Sequence, residues 1–130
     1  MNGLLVGKLI YQVLSNDDYI DSKVGNAIFP LVAPQDTAFP FIVYTKSNVF
    51  TDIHSKDGWL SDAINFTITI VSDNYFTGVN IANQVRLLFE NRIISNDELK
   101  INNIHLVSSN ESFNEDTYIQ NLYFSCEADE

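Results

Sequence analysis

Apolar and polar side chains alternate most regularly over residues 63–71. Ile64, Phe66, Ile68 and Ile70 fall on one face, and Asn65, Thr67 and Thr69 on the other. Period-two alternation predicts a half-buried β-strand. Seven of these nine residues are β-branched or aromatic, Ala63 and Asn65 excepted, and such side chains suit a pleated surface better than a helix. Ser72, Asp73 and Asn74 punctuate its end. Over residues 77–92 the period becomes helical, with Val79, Ile81, Ala82, Val85, Leu88 and Phe89 on one side and Asn80, Asn83, Gln84, Arg86 and Asn91 on the other. Thr77 reads as the N-cap, and Arg92 complements the carbonyl end. A strand and a helix joined this tightly cover each other's apolar faces, so the unit forms the centre of the core.

Residues 4–14 carry a second helical stripe, made of Leu5, Val6, Leu9, Ile10, Val13 and Leu14. Gly7 within it either marks a close approach of helix to sheet or is simply tolerated, at about 1 kcal/mol relative to Ala. Ser15, Asn16, Asp17 and Asp18 end the stripe, and the chain up to Lys23 reads as surface loop. Pro30, Pro34 and Pro40 exclude a long helix over residues 24–40 and leave room for a short strand at residues 27–29. In the strand expected at residues 41–47, Phe41, Val43 and Thr45 oppose Ile42 and Tyr44. Both faces are rather apolar, which implies neighbours on both sides, one of which could be another subunit.

Residues 48–58 form a connection longer than a tight hairpin needs, either an arm that reaches a neighbouring chain or a merely mobile loop. Trp59 stands at its base. Strands are expected at residues 104–108 and 117–126, separated by a polar connection at residues 109–116 that is broken only by Phe113. The expected fold is therefore α+β: one mostly antiparallel sheet of about four to five strands packed by two helices, with a long β-hairpin arm, in a single domain spanning residues 1–130.

Composition narrows function mainly by exclusion. A chain of 130 residues, 45% of them hydrophobic, buries one core and has no material for a second. No apolar run approaches the roughly 20 residues of a membrane span, and the N-terminus lacks a secretory pattern, so synthesis in the cytoplasm is expected. Seventeen acidic against seven basic residues give a net charge of −10. The basic residues are scattered singly, so there is no footprint for binding nucleic acid. No Lys or Arg follows Lys100, whereas six carboxylates do.

Candidate chemistry is sparse. Asp52, His54 and Asp57 could offer metal ligands from one loop, but a lone histidine with two aspartates is a weak pattern. His105 lies in an expected strand, far from His54 in sequence. Cys126, the single cysteine, reads as a small apolar core residue. No nucleophile elbow and no phosphate-binding glycine pattern occurs, and the pairs Asp17–Asp18 and Glu115–Asp116 read as solvated turns. No enzyme, cofactor or metal is expected.

Three segments, Ile28-Phe29-Pro30, Ala33-Pro34-Gln35 and Phe39-Pro40-Phe41-Ile42-Val43-Tyr44, together resemble the tail completion, or tail terminator, family of long-tailed bacteriophages and prophages. Ile64-Asn65-Phe66-Thr67-Ile68 with the helix after it, and Glu115-Asp116-Thr117-Tyr118 before the last strand, extend the resemblance to most of the chain. It implies a non-enzymatic virion subunit, made in the bacterial host cytoplasm and placed at the head-proximal end of the tail. Such a subunit forms a ring, commonly a hexamer, that caps the tail tube and meets the head-completion, or connector, protein. Interface candidates are Phe41, Val43, Phe50, Asp52, His54, Lys56 and Trp59. Glu111, Glu115 and Asp116 are candidates for an acidic lumen through which DNA passes without sticking. A small protein-binding adaptor of a prophage or mobile element, working through a sheet edge, is the alternative.

Overall fold

The computed structural model describes residues 3–54 and 60–129. A short 3-10 turn, Gly3–Leu5, leads into α1 (Val6–Ser15), α2 (Asp18–Val24), β1 (Ile28–Pro30), β2 (Phe41–His54) and β3 (Leu60–Ser72). α3 (Tyr75–Phe89), β4 (Ile94–Ser95), β5 (Lys100–Asn114) and β6 (Thr117–Asp129) follow. The α+β class holds, but the sheet is mixed and six-stranded, in the order β1-β2-β3-β6-β5-β4. Among the described residues only the β1–β2 pair is parallel. β1 falls where a short strand is expected, while β4, of two residues, is too short for an alternation to show and α2 lies where the sequence reads as loop.

β3 holds the centre, as its alternation requires. Ile64, Phe66, Ile68 and Ile70 are all buried beneath the helices, beside Ile42 and Tyr44 of β2 and Leu122, Phe124 and Cys126 of β6. Phe66 stacks on Phe124 at 5.1 Å between ring centroids, and Phe89 of α3 closes on them at 5.6 and 5.7 Å. α3 contributes Ile81, Ala82 and Val85 to this layer, and α1 contributes Val6, Leu9, Ile10 and Leu14. The three helices thus cover one face of the sheet.

Four boundaries depart from the sequence reading, each for a local reason. The expected surface loop after α1 contains α2: Asp17 is its N-cap, accepting from the Ile20 N–H at 3.0 Å, and Ile20 and Val24, four residues apart, bury one side. The same carboxylate accepts from Gln84 Nε2 at 3.2 Å, so Asp17 is a structural tie rather than a solvated turn. α3 begins earlier than expected, capped by Asn74, whose Oδ1 accepts from the Thr77 N–H at 3.1 Å.

The long connection at residues 48–58 is mostly strand, because β2 stays paired with β3 as far as His54–Leu60 through two bulges. Residues 55–59, which include Lys56 and Trp59, lie outside the described residues. The polar stretch 109–116 is also strand, closed by a two-residue turn in which Glu115 and Asp116 both take positive φ, 51° and 63°. That turn geometry matches the twist of a hairpin, and aspartate tolerates it better than most residues.

The close approach that a helical glycine could mark lies at Gly3 rather than Gly7. A Cβ on Gly7 would sit 3.8 Å from Tyr44, an ordinary contact, whereas one on Gly3 would come within 2.7 Å of Asp62 Oδ2. Asp62, only 6% exposed, accepts from the Gly3 N–H at 3.0 Å and so ties the start of the helical layer to β3.

Two stability outcomes follow from these contacts. Phe124→Ala should lower unfolding free energy by about 3–5 kcal/mol through the cavity left against Phe66 and Phe89. Asp62→Ala, which strands a buried N–H, should cost about 1–3 kcal/mol. Urea unfolding midpoints measured against the parent chain check both.

Candidate functional site

Because the helices cover one face only, the opposite face of the sheet is bare. Its rows follow from strand register: Phe41 beside Val71, Ile119 and Ser112; Val43 beside Thr69, Asn121 and Asn110; Thr45 beside Thr67, Tyr123 and Ser108. None of these twelve is charged, in a chain with seventeen acidic and seven basic residues. The face is knitted by its own side chains. Thr69 Oγ1 donates to Asn121 Oδ1 at 2.7 Å, Asn121 Nδ2 to Asn110 Oδ1 at 3.0 Å, and Asn110 Nδ2 to the Tyr123 hydroxyl at 3.2 Å. These three rows are a neutral, pre-tied polar surface suited to contact, and further along the same face stand His105, beside Ser125, and Glu127, beside Ala63.

Three interface candidates meet here. Phe41, Val43 and Phe50 all project on the bare face, Phe50 through its pairing with Ala63 and at 54% exposure. The side chains of Asp52, His54, Lys56 and Trp59 lie outside the described residues. The three acidic candidates share the β5–β6 hairpin but not one face. Glu111 points to the helix side, where it accepts from the Tyr75 hydroxyl at 3.0 and 3.1 Å and from Gln120 Nε2 at 2.8 Å. Glu115 and Asp116 sit in the exposed turn. The hydrogen bond to Glu111 holds the Tyr75 hydroxyl pKa above its ordinary value.

At the same end of the sheet, the proline-rich segment and the β5–β6 turn enclose an open groove of about 550 Å³ lined by Pro34, Thr37, Phe39, Phe41, Val71 and Glu115, among others. Phe41 contacts Phe29 and stacks on Phe39 at 5.7 Å, so two of the three segments that carry the family resemblance pack against one another. On the helix side a second aromatic set joins Tyr75 to Phe76 and Tyr118, and Tyr118 to Phe113. Phe76 is 72% exposed.

The candidate chemistry does not converge. His105 is an exposed strand residue with Nδ1 3.2 Å from the Asn103 carbonyl. Among the described residues no three His, Cys, Asp or Glu side chains are grouped to hold a metal. Burial pushes the Cys126 thiol up to about 12, the wrong direction for a nucleophile. Among the described residues no helix is long and apolar enough to cross a membrane.

One residue that sequence reading passes over does matter here. Glu90, just past α3, accepts from Arg86 Nε at 2.8 Å and from the Leu106 N–H of β5 at 3.1 Å. Its bond to Arg86, and next that to Leu106, hold the carboxyl below its ordinary value. The i,i+4 pairing with Arg86 is legible in the sequence; the reach to β5 is not.

No family model matches the chain, and no curated protein does. Among solved structures, a chain of a native gene transfer agent virion aligns over 93% of this chain and 92% of its own, with a TM-score of 0.78 at 18% identity. A second solved structure aligns over 100% of this chain and 97% of its own, with a TM-score of 0.64 at 12% identity. At such identities the likeness is one of fold, and it runs the length of the chain.

The depressed Glu90 pKa sets a pH signature. A carboxyl whose folded pKa is lowered contributes stability above its unfolded value, here 4.5, and loses it as pH falls through the folded value. Glu90→Gln should therefore be less stable than the parent at neutral pH. That gap should narrow as pH falls below 4.5 in denaturant titrations.

Proposed function

We propose that this chain is a non-enzymatic structural subunit of a phage-like virion, acting as a tail terminator or tail completion protein. Copies form a ring, six in the family's common pattern, that caps the tail tube and presents a surface to the head-completion complex. The subunit is made in the host cytoplasm and resides at the head-proximal end of the tail. The observation that carries this reading is the fold likeness to a gene transfer agent virion chain over 93% of the sequence at a TM-score of 0.78.

Three features of the chain support it. The resemblance-bearing residues 28–44 form a structural unit, with β1 laid parallel to the start of β2 and aromatic contacts linking Phe29, Phe39 and Phe41. The three uncharged rows of the bare face offer contact area. A net charge of −10 keeps DNA from adhering as it passes, and Glu115 and Asp116 in the exposed turn are the carboxylates best placed for a lumen mouth. A second reading, a prophage adaptor that captures another protein by strand addition, draws on the outer edge of β5 over residues 107–114, where no strand partner lies among the described residues.

Co-sedimentation with tail tubes of the same particle, combined with light scattering of the bound fraction, separates the two. The proposal expects stoichiometric capture at tube ends and a multimeric mass. Monomers that neither associate at high concentration nor co-sediment with tubes would remove the ring reading.

A further inference from the structure

Resting on that ring reading, we propose that the ring closes by strand addition: the outer edge of β5 over residues 107–114 pairs antiparallel with the outer edge of β2 over residues 45–54 of the next copy.

The upper part of β5 is already occupied on its outer side. β4 pairs with Lys100 and Ile101, the Asn91 N–H donates to the Ile104 carbonyl at 2.8 Å, and Glu90 accepts from the Leu106 N–H. Below Leu106 no strand or backbone partner lies on that side among the described residues. The two-residue turn makes Asn114–Thr117 a hydrogen-bonded pair, and alternation along the ladder then turns the backbone groups of Ser109, Glu111 and Phe113 outward.

Natural edge strands are usually guarded by lysine, proline, a bulge or an inward charge. Residues 107–114 contain no Lys, Arg or Pro, and beyond Ser108 their pairing with β6 is free of bulges. Their one carboxylate, Glu111, is held by Tyr75 and Gln120. A strand left unguarded in this way is a docking strip for backbone.

The opposite edge supplies a complement. β1 covers β2 only at Ile42–Tyr44, and beyond that stretch β2 is open on its outer side among the described residues. This edge carries Lys46 and two bulges, at residues 46–48 and 50–53, so it is the guarded member of the pair and β5 the unguarded one. In the order β2-β3-β6-β5 every neighbouring pair is antiparallel, so β2 and β5 run in opposite directions. Copies standing in the same orientation therefore present antiparallel edges to one another, as a head-to-tail ring needs.

The offset between the two open stretches also fits closure. Asn110 lies level with Val43 through Asn121 and Thr69. The middle of the open β2 edge stands between five and six rows higher, about 18 Å at the usual rise per residue. Four strands span about 19 Å. Strands tilted by about 43° would bring successive copies to one height, within the 35–45° typical of closed sheets.

The test uses variants Asn48→Cys and Ser109→Cys, mixed at about millimolar concentration with a short bismaleimide, conditions under which even a weak association with Kd near 1 mM is populated. Cys126 is buried and its thiol is pushed up to about 12, so the parent chain supplies a silent control. The proposal expects covalent dimers from the mixture, none from either variant alone, and a ladder from the double variant. Dimers from Ser109→Cys alone, indicating a symmetric β5–β5 pair, would overturn it, as would a mixture that yields none.

Ser109→Pro removes an outward N–H and no internal one. It should leave the circular dichroism and unfolding midpoint of the parent while lowering cross-linking about tenfold, the effect of one lost hydrogen bond. If multimers still cap tubes but the mixed cross-link is missing, edge pairing fails and the ring stands; if no multimer forms on tubes, the ring reading fails itself.

Discussion

The stacking of Phe66 on Phe124, with Phe89 of α3 set against both, fixes which face of the sheet is covered. Everything else about the molecule follows from that asymmetry. Side chains alternate across a strand, so burying Ile64, Phe66, Ile68 and Ile70 beneath the helices obliges Asn65, Thr67, Thr69 and Val71 to form the other face. A one-residue slip of β3 would exchange the two sets, and the aromatic cluster makes that slip costly. The bare face and the rows of side chains that meet on it are consequences of one register.

Legibility in the sequence tracked periodicity. β3 is legible because over residues 63–71 it is buried on one side and part-exposed on the other, and α3 because its stripe faces that same strand. β5 is not. Over residues 107–114 both its faces are exposed, so no alternation is imposed and the segment reads as loop, while the pairing that makes it a strand comes from β6. α2 was missed for a related reason: Asp17 looks like punctuation after α1 and acts instead as the cap of the next helix. Caps and breaks draw on the same residue types, and only the buried pair Ile20 and Val24 tells them apart.

The candidate site was legible in part. Phe41 and Val43 were expected to face a neighbour because both faces of their strand are apolar, and both project on the bare face. Charge alone singles out the acidic candidates, and charge carries no direction: Glu111 turns toward Tyr75, while Glu115 and Asp116 occupy the turn. The role of Glu90 could not be read at all, because its bond to Leu106 joins residues that only the fold brings together.

A protein of this kind works through what its surfaces exclude as well as through what they bind. On the proposed reading, carboxylates that outnumber cations by more than two to one keep nucleic acid from adhering, and the three uncharged rows of the open face make contact without charge matching. Electron microscopy of the chain bound to tail tubes of its own particle tests this account most directly. The account predicts a closed ring at one end of each tube. Bare tube ends, or copies scattered along the tube wall, would contradict it.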